Sequence, residues 1–524
     1  MTTTVTAPDA AVTPAAAPGG PRARAVLALA LFEARELLQQ IVVLVFFTVY
    51  TVAVVRQMIS GHLGWHELTG HEGMAGYPAL QDADRETQTS AVLLGVALFL
   101  CANRAVLRSR RQDTDRHFGT LAMDPWRRTL GHALSVVPFA LFSGLIVAVR
   151  FGWAALRPGA VGHGSVFELA VSPLTVLLCG VAGVLLARLV PSAFAAPLLA
   201  VTAYVVVLDS LVFADSHWTQ WLSPVVAESG GDPLPSDLIG RPAAWHALYL
   251  TGLIALLLCA ALLRSGGRTA RIKAATALAL AATAAGIAGQ SPGPSAALQA
   301  ARAQVSEHPE SVERCAVRGA TTYCALPEWT GRTADWAEAV ERVRSLTPGP
   351  AAARPLTVRQ RVEARYGLEG DSSYDPLTAP GVVTVGTRWG GNRVPEFSTG
   401  LASTLVAGDE KAGGEVCDGR VVAVMWLALG AADDPLGQLR AVRLDDSTEG
   451  GSYVLTPTSG LLMSAGQTKV VAELLHRPRA EVTARVKARW TELTRPGVST
   501  ARAAELLGVA ATGLGAEGGN SCSE

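Results

Sequence analysis

Apolar residues gather in seven stretches between residues 39 and 290, each near the about 20 residues a helix needs to cross a hydrocarbon layer of roughly 30 Å. They are Gln39–Met58, Ser90–Leu107, Leu130–Trp153, Phe167–Val190, Ala193–Ala214, Ala243–Leu263 and Ala274–Gln290. The seventh is the shortest and is mostly Ala. The pattern predicts a polytopic α-helical membrane protein with about seven transmembrane helices and the lipid bilayer as its first partner.

After Gln290 the pattern changes to mixed charge, scattered Trp and repeated Pro and Gly, with QSPGPS (Gln290–Ser295) reading as a linker. Residues 291–524 therefore read as a separate, helix-rich α+β soluble domain. Helical spacing is expected at Ala296–Glu307, Thr333–Leu346, Val421–Leu429, Gln467–His476, Arg479–Leu493 and Ala501–Leu507. Strand-like runs fall at Cys315–Ala325 and Val382–Trp389. The lead at residues 1–23 is Thr-, Ala- and Pro-rich, and its early part has no apolar core for a cleavable signal, so it reads as a disordered cytosolic segment.

Charge sets an orientation. Arg22, Arg24 and Arg35 precede the first span. Arg108, Arg110, Arg111, Arg116, Arg127 and Arg128 lie between the second and third, and Arg264, Arg268, Arg271 and Lys273 between the sixth and seventh. The alternate loops are acidic, with Glu67, Glu72, Asp82, Asp84 and Glu86 in one and Asp215, Glu228, Asp232 and Asp237 in another. Basic loops stay on the inner side, which predicts the N-terminus in, the C-terminus out, and the tail outside the plasma membrane.

Composition agrees: 49% of residues are hydrophobic and only 17% charged, against about 25% charged in a soluble domain. The net charge is zero, which gives no support to a nucleic-acid partner. Basic residues are nearly all Arg, a bias of GC-rich coding that leaves the Arg surplus itself uninformative.

Several short features are candidates for chemistry. Ala25–Gln40 sets Glu33, Arg35 and Glu36 in a Leu- and Ala-rich helix running into the first span, suited to lying in the inner interface or simply to forming that span's cytosolic end. In the inner loop, Asp124 and Pro125 form a helix start beside Trp126, Arg127 and Arg128; an ordinary positive-inside anchor has the same composition. Asp209 and Asn103 are polar residues inside spans and so functional candidates, Asp209 close enough to the outer end for an interfacial role. Arg150 is placed to reach the outer surface, and Gly180 and Gly183 to pack helices.

Cys315 and Cys324 bracket a hairpin tip at Arg318, Gly319 and Ala320, which places them to form a disulfide outside the cell; Cys417 and Cys522 are a further pair to consider. Cys101, Cys179 and Cys259 read as apolar packing residues. His62, His66 and His71, with Glu67 and Glu72, have spacing that would suit Zn or Cu on a helix, but Gly61, Gly64, Gly70 and Gly73 favour a solvated loop, so no metal or cofactor is expected. No zinc-protease, serine-hydrolase or paired-cysteine signature is present, so the chain is not expected to be an enzyme.

The order of these features carries a resemblance. An E-A-R-E-L-L core (Glu33 to Leu38), a first span, an outer loop, a second span ending in Arg108, Arg110 and Arg111, and P-W-R-R-T-L-G-H (Pro125 to His132) leading into the third is similar to actinobacterial permease subunits of ATP-binding-cassette exporters of the type-2 class. The likeness covers roughly residues 24–290, and the extra span and large tail depart from the simplest six-span members. It implies a connecting helix before the first span and a coupling helix within residues 108–128 that docks on a cytosolic ATPase subunit. It also implies a second permease subunit, identical or related. The paired cysteines and Val421–Leu429 more loosely resemble outer domains of some such permeases. The chain has no G-x-x-x-x-G-K-[ST] phosphate loop, so the expected ATP hydrolysis falls to a separate subunit. The competing expectation is a non-transporting membrane anchor that displays its outer domain for sensing or envelope binding.

Overall fold

The computed structural model describes residues 21–60, 77–112, 123–192, 194–202, 221–225, 232–366, 374–458 and 460–510. Its first part is helical throughout. A helix α1 (Pro21–Gln39) is followed, after a break at Gln40, by α2 (Ile41–Ser60). Then come α3 (Leu80–Glu86), α4 (Ala91–Arg111), α5 (Pro125–Leu134), α6 (Val137–Leu156), α7 (Val166–Leu189), α8 (Ala243–Arg264) and α9 (Ala270–Gln290).

Among the described residues, 6 helical segments are long and apolar enough to cross a membrane: Ile41–Ile59, Leu80–Ser109, Pro125–Leu156, Val166–Leu189, Ala243–Arg264 and Ala270–Gln290. This is the build of a multi-pass helical membrane protein. The Ala-rich last segment is one of the six, and its N-cap Thr269 accepts a hydrogen bond from Ile272. The expected fifth span, Ala193–Ala214, including Asp209, lies largely outside the described residues, as do residues 1–20 and His62, His66 and His71.

Close helix packing depends on small residues. A Cβ on Gly183 would sit 2.3 Å from the Phe99 carbonyl oxygen, and one on Gly286 would sit 2.6 Å from Tyr249 backbone. Asn103 donates its side-chain amide to the Gly183 carbonyl at 3.1 Å across the same contact. Asn103 therefore joins α4 to α7 and needs no other role to be satisfied.

The helices divide the molecule into two ends. At one, Leu107 clusters with Ala187, and Thr129 donates to Ser265 at 2.8 Å, so the ends of α4 and α7, the start of α5 and the turn after α8 lie together. At the other, Trp221 stacks edge-on against His246 at 5.6 Å and receives a hydrogen bond at its carbonyl from Gln290. The chain thus leaves α7 at the first end, while Trp221, before α8, lies at the second.

Residues 296–510 build an α+β unit. A hairpin, β1 (Arg314–Arg318) and β2 (Thr321–Ala325), turns at Gly319, whose φ of 60° favours a residue without Cβ. β3 (Leu356–Gln360) and β4 (Val382–Val385) extend it in the order β1-β2-β3-β4, antiparallel at β1/β2 and parallel beyond. The parallel step from β2 to β3 is made through the helix Thr333–Ser345, whose Trp336, Ala339, Val340 and Val343 are buried.

At the centre lies Arg420–Leu429. Val421 through Leu429 are all buried, as the unbroken apolar run requires, because a helix apolar on every side has to be covered on every side. Gly419 allows the approach: its N–H donates to the Val498 carbonyl at 2.7 Å, and a Cβ there would meet the Ser499 oxygen at 2.5 Å. The strand run expected to reach Trp389 stops at Val385, and the helix expected over Arg479–Leu493 is broken at Arg489 into Arg479–Ala488 and Trp490–Leu493. Helix Arg393–Ala407 and the small β5/β6 sheet (Ser452–Val454, Leu461–Met463) were not expected from periodicity.

Candidate functional site

Glu33, Glu36, Asp124 and Arg127, with Arg108 and His132, gather at the arginine-rich end. Helix α1 buries one stripe, Val26, Ala30, Glu33, Ala34 and Leu37, and exposes Leu27, Leu31, Phe32 and Leu38. The buried stripe carries an acid because a base meets it. Arg108, at the end of α4, reaches Glu33 at 3.4 Å and Glu36 at 3.5 Å, and His132 of α5 lies 3.8 Å from Glu33. Burial pushes the Glu33 carboxyl above its ordinary value, and the Arg108 charge pulls it part of the way back. Arg35 is exposed.

Helix α5 starts as its sequence predicts, with Asp124 at the N-cap and Pro125 at the first position. Asp124 makes no capping hydrogen bond; its carboxylate instead pairs with Arg127 at 3.0 Å, and the Arg127 guanidinium lies 5.0 Å from the Trp126 ring. Gly131 admits Leu29 of α1, since a Cβ there would sit 2.9 Å from its methyl carbon. Gly267, in the turn after α8, similarly accommodates Trp126. Arg128 is half-buried. Arg110 and Arg111 close α4, and their side chains lie outside the description.

The structure therefore brings Glu33, Glu36, Arg108, Asp124, Trp126, Arg127 and His132 to one end and ties three elements into a platform. α1 is pinned to α4 by ion pairs and to α5 by packing. α5 is pinned to the α8/α9 turn by the Thr129–Ser265 bond. Among these described residues, nothing sets a nucleophile against a base.

The opposite end holds further buried polar residues, of which Glu168 and Arg85 were not marked by the sequence. Glu168, near the start of α7, is buried and accepts from Arg85 at 3.0 Å and from the Gln88 amide. Arg150, expected to reach out to the surface, is instead buried and pairs with Glu86 at 2.9 Å. The physical reason is that a partner within reach satisfies the guanidinium without solvent. Arg241 donates to the Gln81 carbonyl at 2.6 Å. A cue existed in sequence: a Glu three residues into an apolar stretch is costly unless paired.

The same end receives residues 296–510. Val161, Leu234, Leu238 and Ile239, from loops between spans, share one apolar core with Tyr323, Trp329, Val383 and Trp426. Trp329 donates its ring N–H to Tyr77 Oη at 2.8 Å and to the Thr387 carbonyl at 3.0 Å, and Tyr77 donates to that carbonyl too. Burial pushes the Tyr77 hydroxyl up, which keeps it a donor. Ser236 donates its N–H and hydroxyl to Glu328, at 3.1 and 3.2 Å. Arg302 donates to the carbonyls of Leu238 and Ile239, at 2.8 and 2.7 Å. Asp232 pairs with Arg388 at 2.9 Å.

Cys315 and Cys324 face each other across β1/β2 and are joined, with Cα atoms 4.0 Å apart. Glu313 gathers with both sulfurs within 4.8 Å, but the sulfurs are bonded to each other, so the group is not a ligand set. Cys417 is also disulfide-bonded, and Cys522 lies outside the described residues. No family model, no curated protein and no solved structure matches the chain.

Proposed function

We infer that the chain is the membrane-spanning subunit of an exporter driven by a separate cytosolic ATPase, with the platform of α1 and α5 as the docking surface. The observation that carries this reading is α5 itself. It is a short amphipathic helix with Trp126, Arg127 and Arg128 at the arginine-rich end, packed on α1 and bonded to the turn after α8. A mere anchor has no use for such a joint. The reading places that end in the cytosol, following the Arg bias, and residues 296–510 with their disulfide outside the plasma membrane. Work would be done mechanically, by nucleotide on the partner shifting the population of inward- and outward-open arrangements of a pair of permease subunits.

The test is purification of the protein from its native host in mild detergent, with bound subunits identified by mass spectrometry. An ATPase subunit is expected with the wild type and is expected to be lost with Arg127→Glu/Arg128→Glu, while the yield and melting temperature of the permease hold. Recovery of no ATPase from the wild type, or unchanged recovery from the double variant, overturns the assignment and favours the anchor.

A further inference from the structure

The two edges of the four-stranded sheet are treated differently. At the β4 edge, the Glu410 carboxylate accepts from the Thr384 N–H, and the Gly408 carbonyl accepts from the Gly381 N–H at 2.9 Å. That edge is closed from within. At the β1 edge, all five residues, Arg314 to Arg318, are exposed, on both faces of the strand. Val317 is 72% exposed although its type prefers burial. Beside the buried β2, β1 is an edge strand with neither face covered, which buries little of its own to hold it in place. Here it is held in strand geometry covalently, by the Cys315–Cys324 bond, and at its base by the Glu313–Arg359 pair at 3.0 Å.

The free edge has a defined hydrogen-bonding pattern. The 4.0 Å Cα separation of Cys315 and Cys324 is that of a pair that exchanges no ladder hydrogen bonds, which come at about 5.5 Å when they do. Cys315 and, two residues on, Val317 therefore turn their N–H and C=O groups outward, away from β2. Two outward donors and two acceptors are what an added strand requires.

The charges select the occupant. Arg314, Ala316 and Arg318 share one face of the strand, since side chains alternate. Two copies of β1 pairing antiparallel about a twofold axis would set Arg314 against Arg318 of the other copy, and like charges directly opposite are unfavourable. An extended segment with acidic residues at matching alternate positions meets both guanidiniums instead.

The geometry points to the β1 edge as a docking site for an extended acidic segment of a partner protein, which adds to the sheet as a fifth strand. A rigid, disulfide-braced edge reduces the ordering entropy such a partner has to offset. The site is independent of any transport role and serves a transporter or an anchor equally.

The probe is a fluorescein-labelled peptide of alternating Glu and Val, titrated against the full-length protein in detergent and followed by anisotropy. A Lys–Val peptide and a Glu–Val peptide interrupted by two Pro are the controls. The Glu–Val peptide is expected to bind, more weakly at high salt, and the controls at least tenfold more weakly. Val317→Pro removes an outward N–H without touching the β1/β2 ladder and is expected to weaken binding at least tenfold. Arg314→Glu/Arg318→Glu is expected to exchange the preference to the Lys–Val peptide. Near-ultraviolet circular dichroism of each variant reports that the fold is kept. Failure of the Glu–Val peptide to bind, binding that Val317→Pro leaves unchanged, or a wild-type dimer that Val317→Pro dissolves each overturns the proposal.

Discussion

The two ends of the helical bundle are built on different plans. At the arginine-rich end the ion pairs are half-exposed, the Arg108 side chain being 34% accessible, and the apolar face of α1 is left open. At the tail end, Arg85 and Glu168 are 8% and 3% accessible, and the loops between spans are absorbed into the core of residues 296–510. One end is closed by the chain itself, while the other leaves charged and apolar side chains more exposed. The difference teaches that charge density is a poor guide to where charge matters. Arg108 is conspicuous in sequence yet held by half-exposed pairs, while Glu168, a single acid in an apolar stretch, is buried with its partner.

This contrast is testable by substitution. The largest effect is expected from Glu168→Leu, which removes the carboxylate buried beside Arg85. Breaking a buried pair costs about 3–5 kcal/mol, so the melting temperature of the purified protein should fall by several degrees. Trp329→Phe keeps most of the buried ring but deletes the donor to Thr387 and Tyr77. A loss of about 1–3 kcal/mol is expected, with raised protease sensitivity at the Tyr77 segment as well as in the tail. If only the tail loosens, the two are not one structural unit.

A smaller effect is expected at Asp445. It forms a two-point pair with the fully buried Arg443, at 3.0 Å to each oxygen, and the arginine holds its carboxyl down from the ordinary 3.8 to about 2. A lowered folded pKa means the contribution is present above about pH 4 and is lost as pH falls through about 2. Asp445→Asn should therefore flatten the acid limb of stability between those values. Because the Asp445 side chain is 42% accessible, the loss at neutral pH should be no more than about 1 kcal/mol. The smallest effect is expected at the other end: Arg108→Gln should cost less than about 1 kcal/mol in melting experiments. A large loss there would erase the contrast.

Much of the fold could be read from sequence because it follows from periodicity. The span positions come from length and apolarity, and Arg420–Leu429 from an uninterrupted apolar run. Ala296–Glu307 matches its expected bounds because Ser295 caps it. The candidate platform was legible through Glu33, Asp124 and Pro125, whose patterns are local. What stayed hidden was non-local. Arg150 reads as a surface-seeking residue until Glu86 is placed beside it, and Asn103 as a functional polar residue until the Gly183 carbonyl meets it. The helix Arg393–Ala407 mixes Thr, Ser, Gly and Pro, so propensity disfavours it, and tertiary burial decides the outcome. The fusion of the tail with the loops between spans also had no sequence signature. The QSPGPS segment reads as a linker, while the joint is made elsewhere, through Tyr77, Ser236 and Asp232.

Hydrogen–deuterium exchange on the full-length protein in detergent tests this shared core most directly. Backbone amides of Leu80–Glu86 and Ser236–Ile239 should exchange on the same slow timescale as those of β2 and β4, and Trp329→Phe should accelerate all four segments together. Fast exchange in the two loop segments while the strands remain protected, or acceleration of the strands alone, would contradict the account.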